Sequence, residues 1–108
     1  MTRRFGMMCR MIPQKREEYL ALHRAVWPGV EATITACGIR NFTIFVRGDV
    51  LVGYFEYIGE DYEADQRVMA ADPVTQEWWA HTSPCQVPFD DLDDAPAWQE
   101  LEEAWHLD

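Results

Sequence analysis

The chain has 108 residues, 48% of them apolar and 13% aromatic, which is typical of one folded domain spanning residues 1–108 and excludes a disordered tail. Nine Lys and Arg against 19 Asp and Glu give a formal net charge of −10, which disfavours nucleic acid and anionic membrane surfaces as partners. No apolar run approaches the roughly 20 residues of a membrane span, and the N-terminal residues lack the apolar block of a signal peptide, so we expect a cytoplasmic protein.

The N-terminal third predicts a strand followed by helical structure. Residues 4–12 (RFGMMCRMI) place apolar side chains at alternate positions, the period of a half-buried strand. Pro13 suits the first turn of a helix, which the apolar pattern continues to Trp27. Because Pro28 has no amide hydrogen, we expect the helix to kink or restart there and to close at Gly38.

The middle of the chain predicts a hairpin and then a helix. Residues 39–58 contain two β-rich runs on either side of Gly48-Asp49, a dipeptide suited to a type II′ turn. Residues 60–71 have helical composition and helical spacing of their apolar side chains. The two strands of the hairpin should therefore be neighbours in a sheet.

The C-terminal third predicts a short helix, an acidic stretch and a last strand. Asp72 is suited to an N-cap, and the proline after it to the first turn of a helix over residues 73–81. Residues 89–103 are dense in carboxylates, which favours a solvated loop or a short helix. We interpret residues 104–107 (AWHL) as the last strand.

This order of elements, β-α-β-β-α-β, predicts an α+β protein with the ferredoxin-like antiparallel sheet, covered by helices on one face. The other face also carries apolar side chains, such as Phe45 beside Ile44 or Val52 beside Leu51. In so short a chain we expect this face to pack on a second copy, which predicts a twofold homodimer of the dimeric α/β-barrel type.

Few side chains are available for chemistry. The sequence contains no glycine-rich phosphate loop, no nucleophile elbow and no His, Cys or carboxylate cluster with metal-ligand spacing, so we expect neither a metal nor another cofactor. The three cysteines, Cys9, Cys37 and Cys85, are odd in number and far apart, which predicts reduced structural thiols.

Among the three histidines, His23 is the strongest candidate for acid/base chemistry. Tyr19 precedes it by one helical turn and Trp27 follows it by another, so the predicted helix carries all three on one stripe. Tyr19 would orient the imidazole or donate a second hydrogen bond. A polar-tipped piece of core is the alternative. We interpret His81, near the end of a short helix, and His106, in the predicted last strand, as structural.

The Trp78-Trp79 pair is the second candidate feature. Adjacent helical positions lie about 100° apart, so the two indoles cannot fill the same place in the core. One of them would face a ligand, and a flat indole suits the apolar face of a sugar ring. The alternative places one indole in the core and the other at the dimer interface.

Four segments carry a resemblance to a known family. They are residues 17–31 (EEYLALHRAVWPGVE), 37–45 (CGIRNFTIF), 51–57 (LVGYFEY) and 69–79 (MAADPVTQEWW). From near its first strand to its end, the chain resembles the L-rhamnose mutarotase family. The resemblance implies an isomerase: a ferredoxin-like homodimer that interconverts the α and β anomers of a monosaccharide without metal or cofactor.

The resemblance also implies roles for individual residues. It makes His23 the acid/base group, Tyr19 a substrate hydrogen-bonding residue, and Trp78 and Trp79 the wall that contacts the sugar. Phe42 stands where the family usually has a tyrosine. The missing hydroxyl would remove roughly 0.5–1.5 kcal/mol of sugar-binding free energy or shift the preference toward a related 6-deoxy sugar. Downstream of the tryptophans, AHTSPCQVPF replaces a methionine-rich sequence and would reshape one edge of the pocket.

Two other functions fit the same residues. One is a cofactor-independent monooxygenase or haem-degrading enzyme of the dimeric α/β-barrel type, whose substrates are flat and apolar. The other is a noncatalytic sugar-binding dimer. Mutarotation fits a single imidazole because its ordinary pKa of about 6.5 populates both protonation states near pH 7.

Overall fold

The computed structural model describes residues 2–90 and 95–108. Within these residues the chain forms five strands and four helices, joined in two places by single 3₁₀ turns, Pro13–Lys15 and Ser83–Cys85. The order is β1 (Arg3–Met11), α1 (Arg16–His23), α2 (Pro28–Ala36), β2 (Ile39–Arg47), β3 (Val50–Tyr57), α3 (Tyr62–Ala71), α4 (Pro73–Thr82), β4 (Gln86–Pro88) and β5 (Gln99–Leu101).

The strands form one antiparallel sheet in the order β2-β3-β1-β4, and β5 also pairs with β1. In the centre of the sheet Met7 lies opposite Gly53, and on the outer pair Phe45 lies opposite Val52. This strand order is the ferredoxin-like one, and the predicted α+β fold class is confirmed.

Alternation along the strands separates the two faces of the sheet. In β3 the odd-numbered residues, including Leu51, Phe55 and Tyr57, are buried, whereas the even-numbered ones are partly exposed. The buried side chains pack with Tyr19 of α1 and Met69 of α3 in the core. The even-numbered residues of β1 and β3 point to the other face, which is called the open face below.

Two glycines adopt the left-handed backbone that their positions require. Gly48 has a φ of +61° at the first central position of the β2–β3 turn, and Asp49 has no positive φ, which confirms the predicted type II′ turn. Gly38 has a φ of +84° just after α2, and a Cβ there would lie 3.0 Å from the Tyr57 ring. The predicted helix closure at Gly38 is therefore also confirmed.

The predicted first helix ends earlier than the apolar pattern indicated. It stops at His23, and α2 begins at Pro28. Trp27 has an extended backbone, φ −65° and ψ +133°, which is the conformation that a following proline favours. The restart is confirmed, but the prediction that Trp27 shares a helix with Tyr19 and His23 is wrong.

The prediction of a last strand over residues 104–107 is also wrong. The strand Gln99–Leu101 lies inside the acidic stretch that we interpreted as a loop or short helix, and residues 91–94 of that stretch lie outside the described residues. Leu101 pairs with Gly6, so continued pairing would carry residue 105 past Arg3, where β1 begins. His106 accordingly lies outside the sheet, where its Nε2 is 2.6 Å from a carboxylate oxygen of Asp108.

All three cysteines are free and buried. Burial raises the pKa of the Cys9 thiol to about 12. Across the described parts of the chain, the helices are too short and too polar to span a lipid bilayer.

Candidate functional site

A cavity of about 830 Å³ opens between the helices and the helix-covered face of the sheet. Its walls include all five residues that the sequence singled out: Tyr19, His23, Phe42, Trp78 and Trp79. A smaller depression of about 400 Å³ between α2 and α3 contains none of the five. The structure therefore brings residues from α1, β2 and α4 together around one space.

His23 is the last residue of α1, and its imidazole is held by the preceding turn. Its Nδ1 lies 2.9 Å from the backbone carbonyl oxygen of Tyr19. Because a carbonyl oxygen can only accept, Nδ1 carries the hydrogen in this contact. In the neutral ring Nε2 then keeps its lone pair, and within the described residues it has no hydrogen-bond partner.

Two aromatic rings fix the plane of the imidazole. The Tyr19 ring stacks on it, with centroids 4.3 Å apart and an interplanar angle of 28°. The Trp78 indole meets it edge-on at 5.3 Å and 69°. Tyr19 thus orients the imidazole, as the sequence predicted, but through its ring and its backbone carbonyl.

Tyr19 is itself buried, and its hydroxyl accepts a hydrogen bond of 3.2 Å from Nε2 of Gln86. Burial is the main reason that the pKa of Tyr19 is raised to about 12. The hydroxyl therefore stays protonated near neutral pH and can donate to a ligand. Sequence reasoning missed Gln86 as a site residue, although it lies within residues 80–89, the segment predicted to reshape one edge of the pocket.

The two tryptophans are placed by the N-cap of α4. Asp72 accepts hydrogen bonds from the backbone nitrogen of Thr75 at 2.9 Å and from its Oγ1 at 2.8 Å. These bonds hold the pKa of Asp72 below its ordinary value, so the cap is charged near neutral pH. Trp78 and Trp79 are the sixth and seventh residues of the helix; Trp78 is buried, whereas Trp79 is 39% exposed. The predicted divergence of the two indoles is confirmed.

The packing around Trp78 also includes Trp27, which the sequence analysis placed on the first helix. Trp27 meets Trp78 edge-on at 5.2 Å and His81 at 5.6 Å. Trp27 and His81 do not line the cavity; they pack behind Trp78. His81 lies in the last turn of α4, as predicted.

Phe42 reaches the cavity through an irregularity in β2. The register between β2 and β3 shifts between Arg40 and Thr43, and Asn41 has a φ of +54°, the left-handed region. The Asn41 side-chain nitrogen donates to Glu56 Oε1 at 3.1 Å. Bulges of this kind redirect a side chain, and Phe42 lies at the cavity wall with 40% of its surface exposed.

No group of three or more His, Cys, Asp or Glu side chains that could hold a metal ion occurs in residues 2–90 and 95–108. The lining contains one imidazole, two phenols, three indoles, three side-chain amides and two charged groups: His23; Tyr19 and Tyr62; Trp78, Trp79 and Trp98; Asn41, Gln66 and Gln86; Glu31 and Arg40. Such a site can bind a neutral hydroxylated molecule by stacking and hydrogen bonding, and it can exchange protons with it.

Comparison with known proteins decides the family. The model of the L-rhamnose mutarotase family matches residues 4–107. The chain belongs to the L-rhamnose mutarotase family. The family resemblance inferred from the four sequence segments is confirmed.

Relatives and solved structures of this family match nearly the whole chain. An L-rhamnose mutarotase of Oceanobacillus iheyensis is 32% identical over 108 residues, which cover 98% of this chain and 99% of the relative. One from Opitutus terrae is 34% identical over 93 residues, covering 84% and 85% of the two chains. The crystal structure of an L-rhamnose mutarotase from Formosa agariphila superposes with a TM-score of 0.75 at 18% identity, covering 98% of this chain and 99% of the other.

The fold extends beyond the family. The tetracenomycin F2 cyclase of Streptomyces glaucescens, a type-II polyketide cyclase, has a TM-score of 0.66 at 18% identity and the same coverage, 98% and 99%. Because the two proteins share the fold, the sheet and helices alone do not distinguish the L-rhamnose mutarotase family from a cyclase.

Proposed function

We propose that this protein interconverts the α and β anomers of L-rhamnose, or of a related 6-deoxy sugar, with His23 as the acid/base group. The observation that carries the proposal is the tethered imidazole at the cavity wall. Its Nδ1 is engaged by the Tyr19 carbonyl, so Nε2 is the nitrogen left for a ligand. Membership of the L-rhamnose mutarotase family supplies the sugar.

The reaction opens and recloses a cyclic hemiacetal. The imidazolium of His23 donates its Nε2 proton to the ring oxygen, the bond from that oxygen to C1 breaks, and the anomeric hydroxyl gives up its proton as the C1 carbonyl forms. Rotation about the C1–C2 bond turns the carbonyl over. Reclosure reverses each step: the freed hydroxyl attacks C1 and returns its proton to His23, while the C1 oxygen is reprotonated, so no atom or electron is gained or lost.

Tyr19 has a different role in this scheme. A group with a pKa of about 12 is a poor proton donor in a reaction near neutral pH, because transfer is most effective when the pKa lies near the operating pH. We assign Tyr19 to a hydrogen bond with a sugar hydroxyl, and a bound water to the proton of the anomeric oxygen. Hemiacetal opening is already slow but measurable without a catalyst, and one positioned acid/base contributes about 100- to 10,000-fold.

The aromatic side chains would hold the sugar by its apolar face. Trp79 and Phe42 are partly exposed at the cavity, whereas the buried Trp78 backs the imidazole. 6-Deoxy sugars such as L-rhamnose carry a methyl group, which gains from contact with an indole or a phenyl ring. We assign Trp78, Trp79 and Phe42 to the sugar-binding wall.

The assembly and location are parts of the same proposal. The open face of the sheet carries Phe45, Val52 and Met8, which supports burial of this face in a homodimer. Three free thiols are consistent with a reducing compartment such as the cytoplasm. The net charge of −10 disfavours nucleic acid and anionic membranes as partners.

Exchange between the α and β anomeric proton signals, followed by NMR at equilibrium, tests the proposal. We expect the protein to accelerate exchange for L-rhamnose more than for L-fucose or D-glucose. If the folded protein binds L-rhamnose without accelerating exchange, it is a sugar-binding protein and the proposed activity is wrong. If it neither binds nor accelerates any of the three sugars, both sugar-based functions are wrong.

A further inference from the structure

A third indole, that of Trp98, lines the cavity from the side of the sheet. Trp78 and Trp79 reach the same cavity from α4, whereas Trp98 comes directly before β5. The Trp98 ring lies over the sheet at a position that has no side chain: a Cβ built at Gly53 of β3 would lie 3.3 Å from Cζ3 of Trp98. A glycine at this point of β3 therefore allows the indole to approach the backbone closely.

The strand that follows Trp98 sets the direction in which the indole points. In β5, Gln99 lies opposite Met8 and Glu100 lies opposite Met7. Side chains alternate along a strand, and opposed residues share a face. Trp98 therefore points to the same face as Met7, which is the helix-covered face and also lines the cavity.

A pair of hydrogen bonds next to Trp98 restrains the segment that carries it. Both β4 and β5 pair with β1, one before this segment and one after it. Oε1 of Gln99 accepts a hydrogen bond of 2.7 Å from the backbone nitrogen of Asp90, and Nε2 of Gln99 donates one of 3.2 Å to the Asp90 carbonyl. These bonds join the two ends of the connection, so the Trp98 indole forms a fixed part of the cavity wall.

Trp98 contacts both the core and the cavity. Together with Leu20 and Ile44, it packs against the buried cluster that includes Tyr19 and Leu51. It is nevertheless only half-buried, and it lines the cavity that holds the imidazole. Leu20 packs on the same cluster but does not line the cavity, so the two residues allow a core role to be separated from a role in ligand binding.

We propose that Trp98 binds the sugar from the side of the sheet, so that the pyranose ring is held between this indole and the aromatic side chains of α4. The proposal rests on the sugar site proposed above and adds a binding residue to it. A pyranose ring has C–H bonds on both of its faces, and each face can stack on an aromatic ring. Binding pockets usually bury about 70–90% of a small ligand, which requires walls on more than one side.

The expected effect of Trp98 is on KM, because an indole has no proton to exchange near neutral pH. Trp98→Leu keeps an apolar side chain on the core cluster but removes the flat ring. We expect it to raise the KM for L-rhamnose about 10-fold and to change kcat by about twofold or less, the pattern of a contact made equally in the ground and transition states. Trp98→Phe keeps an aromatic face and should stay within about threefold of the wild-type KM.

Leu20→Ala is the matched control. It removes an apolar contact with the same core cluster and leaves the cavity lining unchanged, so it should lower Tm without changing KM. Trp98→Met, which also lacks the flat ring, is the second variant if Trp98→Leu does not fold, with the same expected rise in KM. Circular dichroism gives Tm and NMR gives the rate of anomer exchange, both on the full chain.

The outcomes separate this proposal from the mutarotase activity. A folded Trp98→Leu variant with the wild-type KM overturns the role of Trp98, and so does an equal rise in KM for Leu20→Ala, which would assign the effect to core packing. If the wild-type protein binds L-rhamnose without accelerating exchange, the activity is wrong, and the dissociation constant from isothermal titration tests Trp98 instead: a rise of about 10-fold supports its role and an unchanged constant overturns it. A wild-type protein that does not bind L-rhamnose overturns both.

Discussion

Replacing Tyr19 by phenylalanine separates what its ring does from what its hydroxyl does. The Tyr19→Phe variant keeps the ring that stacks on His23 and the backbone carbonyl that holds Nδ1. The one hydrogen bond lost among the described contacts is that from Gln86, which is long at 3.2 Å. A hydrogen bond between neutral groups contributes about 0.5–1.5 kcal/mol, and we expect the lower end because Gln86 lines the cavity and can be hydrated there.

The loss of the hydrogen bond between Gln86 and Tyr19 has two measurable consequences. For a chain of about 100 residues, 1 kcal/mol changes Tm by roughly 4–8 °C, so Tyr19→Phe should lower Tm by a few degrees. Because the imidazole stays tethered, anomer exchange should fall by about tenfold or less, which corresponds to about 1.4 kcal/mol. Gln86→Leu removes the same hydrogen bond from the other side and should give a similar change in Tm.

Thermal unfolding by circular dichroism and anomer exchange by NMR measure the two effects on the same samples. A folded Tyr19→Phe variant that loses activity about 1,000-fold would refute the reasoning. It would mean that the hydroxyl transfers a proton itself, against the raised pKa of Tyr19.

Three further predictions concern sugar preference, backbone geometry and pH. Phe42→Tyr should lower the KM for L-rhamnose or leave it unchanged, and a raised KM would contradict the view that a hydroxyl is missing there. Asn41→Gly should keep the left-handed backbone that places Phe42, whereas Asn41→Ala should be less stable than the glycine variant by about 1 kcal/mol in urea unfolding; equal stabilities would refute this. Burial raises the pKa values of Cys9 and Tyr57 to about 12, so the unfolded chain loses these protons at a lower pH than the folded chain does. The free energy of unfolding should therefore keep its full value below pH 9 and fall as the pH rises toward 12. A Cys9→Ala variant should show a shallower decline above pH 9, and an identical decline would exclude Cys9 as a cause.

The sequence predicted the elements whose local chemistry is unambiguous. Gly48-Asp49 specifies a turn, Asp72 an N-cap and Gly38 a helix closure, because each needs a particular side chain or backbone angle at one position. The assignment of His23 and Trp78 to one site came from the family resemblance, because no local pattern shows that the end of α1 meets α4.

The remainder depends on contacts between distant parts of the chain. The first helix was predicted to be too long because the apolar period continues after His23 through residues that are no longer helical. The last strand was misplaced because only the register with β1 determines where pairing stops. Gln86 was missed because its bond to Tyr19 joins residues 67 positions apart.

The most direct measurement of the central claim is the rate of L-rhamnose anomer exchange with His23→Gln and with His81→Gln. Both replacements remove an imidazole, but His23 lines the cavity whereas His81 packs behind Trp78 and does not line it. We predict that His23→Gln lowers the catalysed rate about 100-fold or more while His81→Gln stays near wild type. Wild-type exchange in a folded His23→Gln variant would contradict the assignment of the proton transfer to His23.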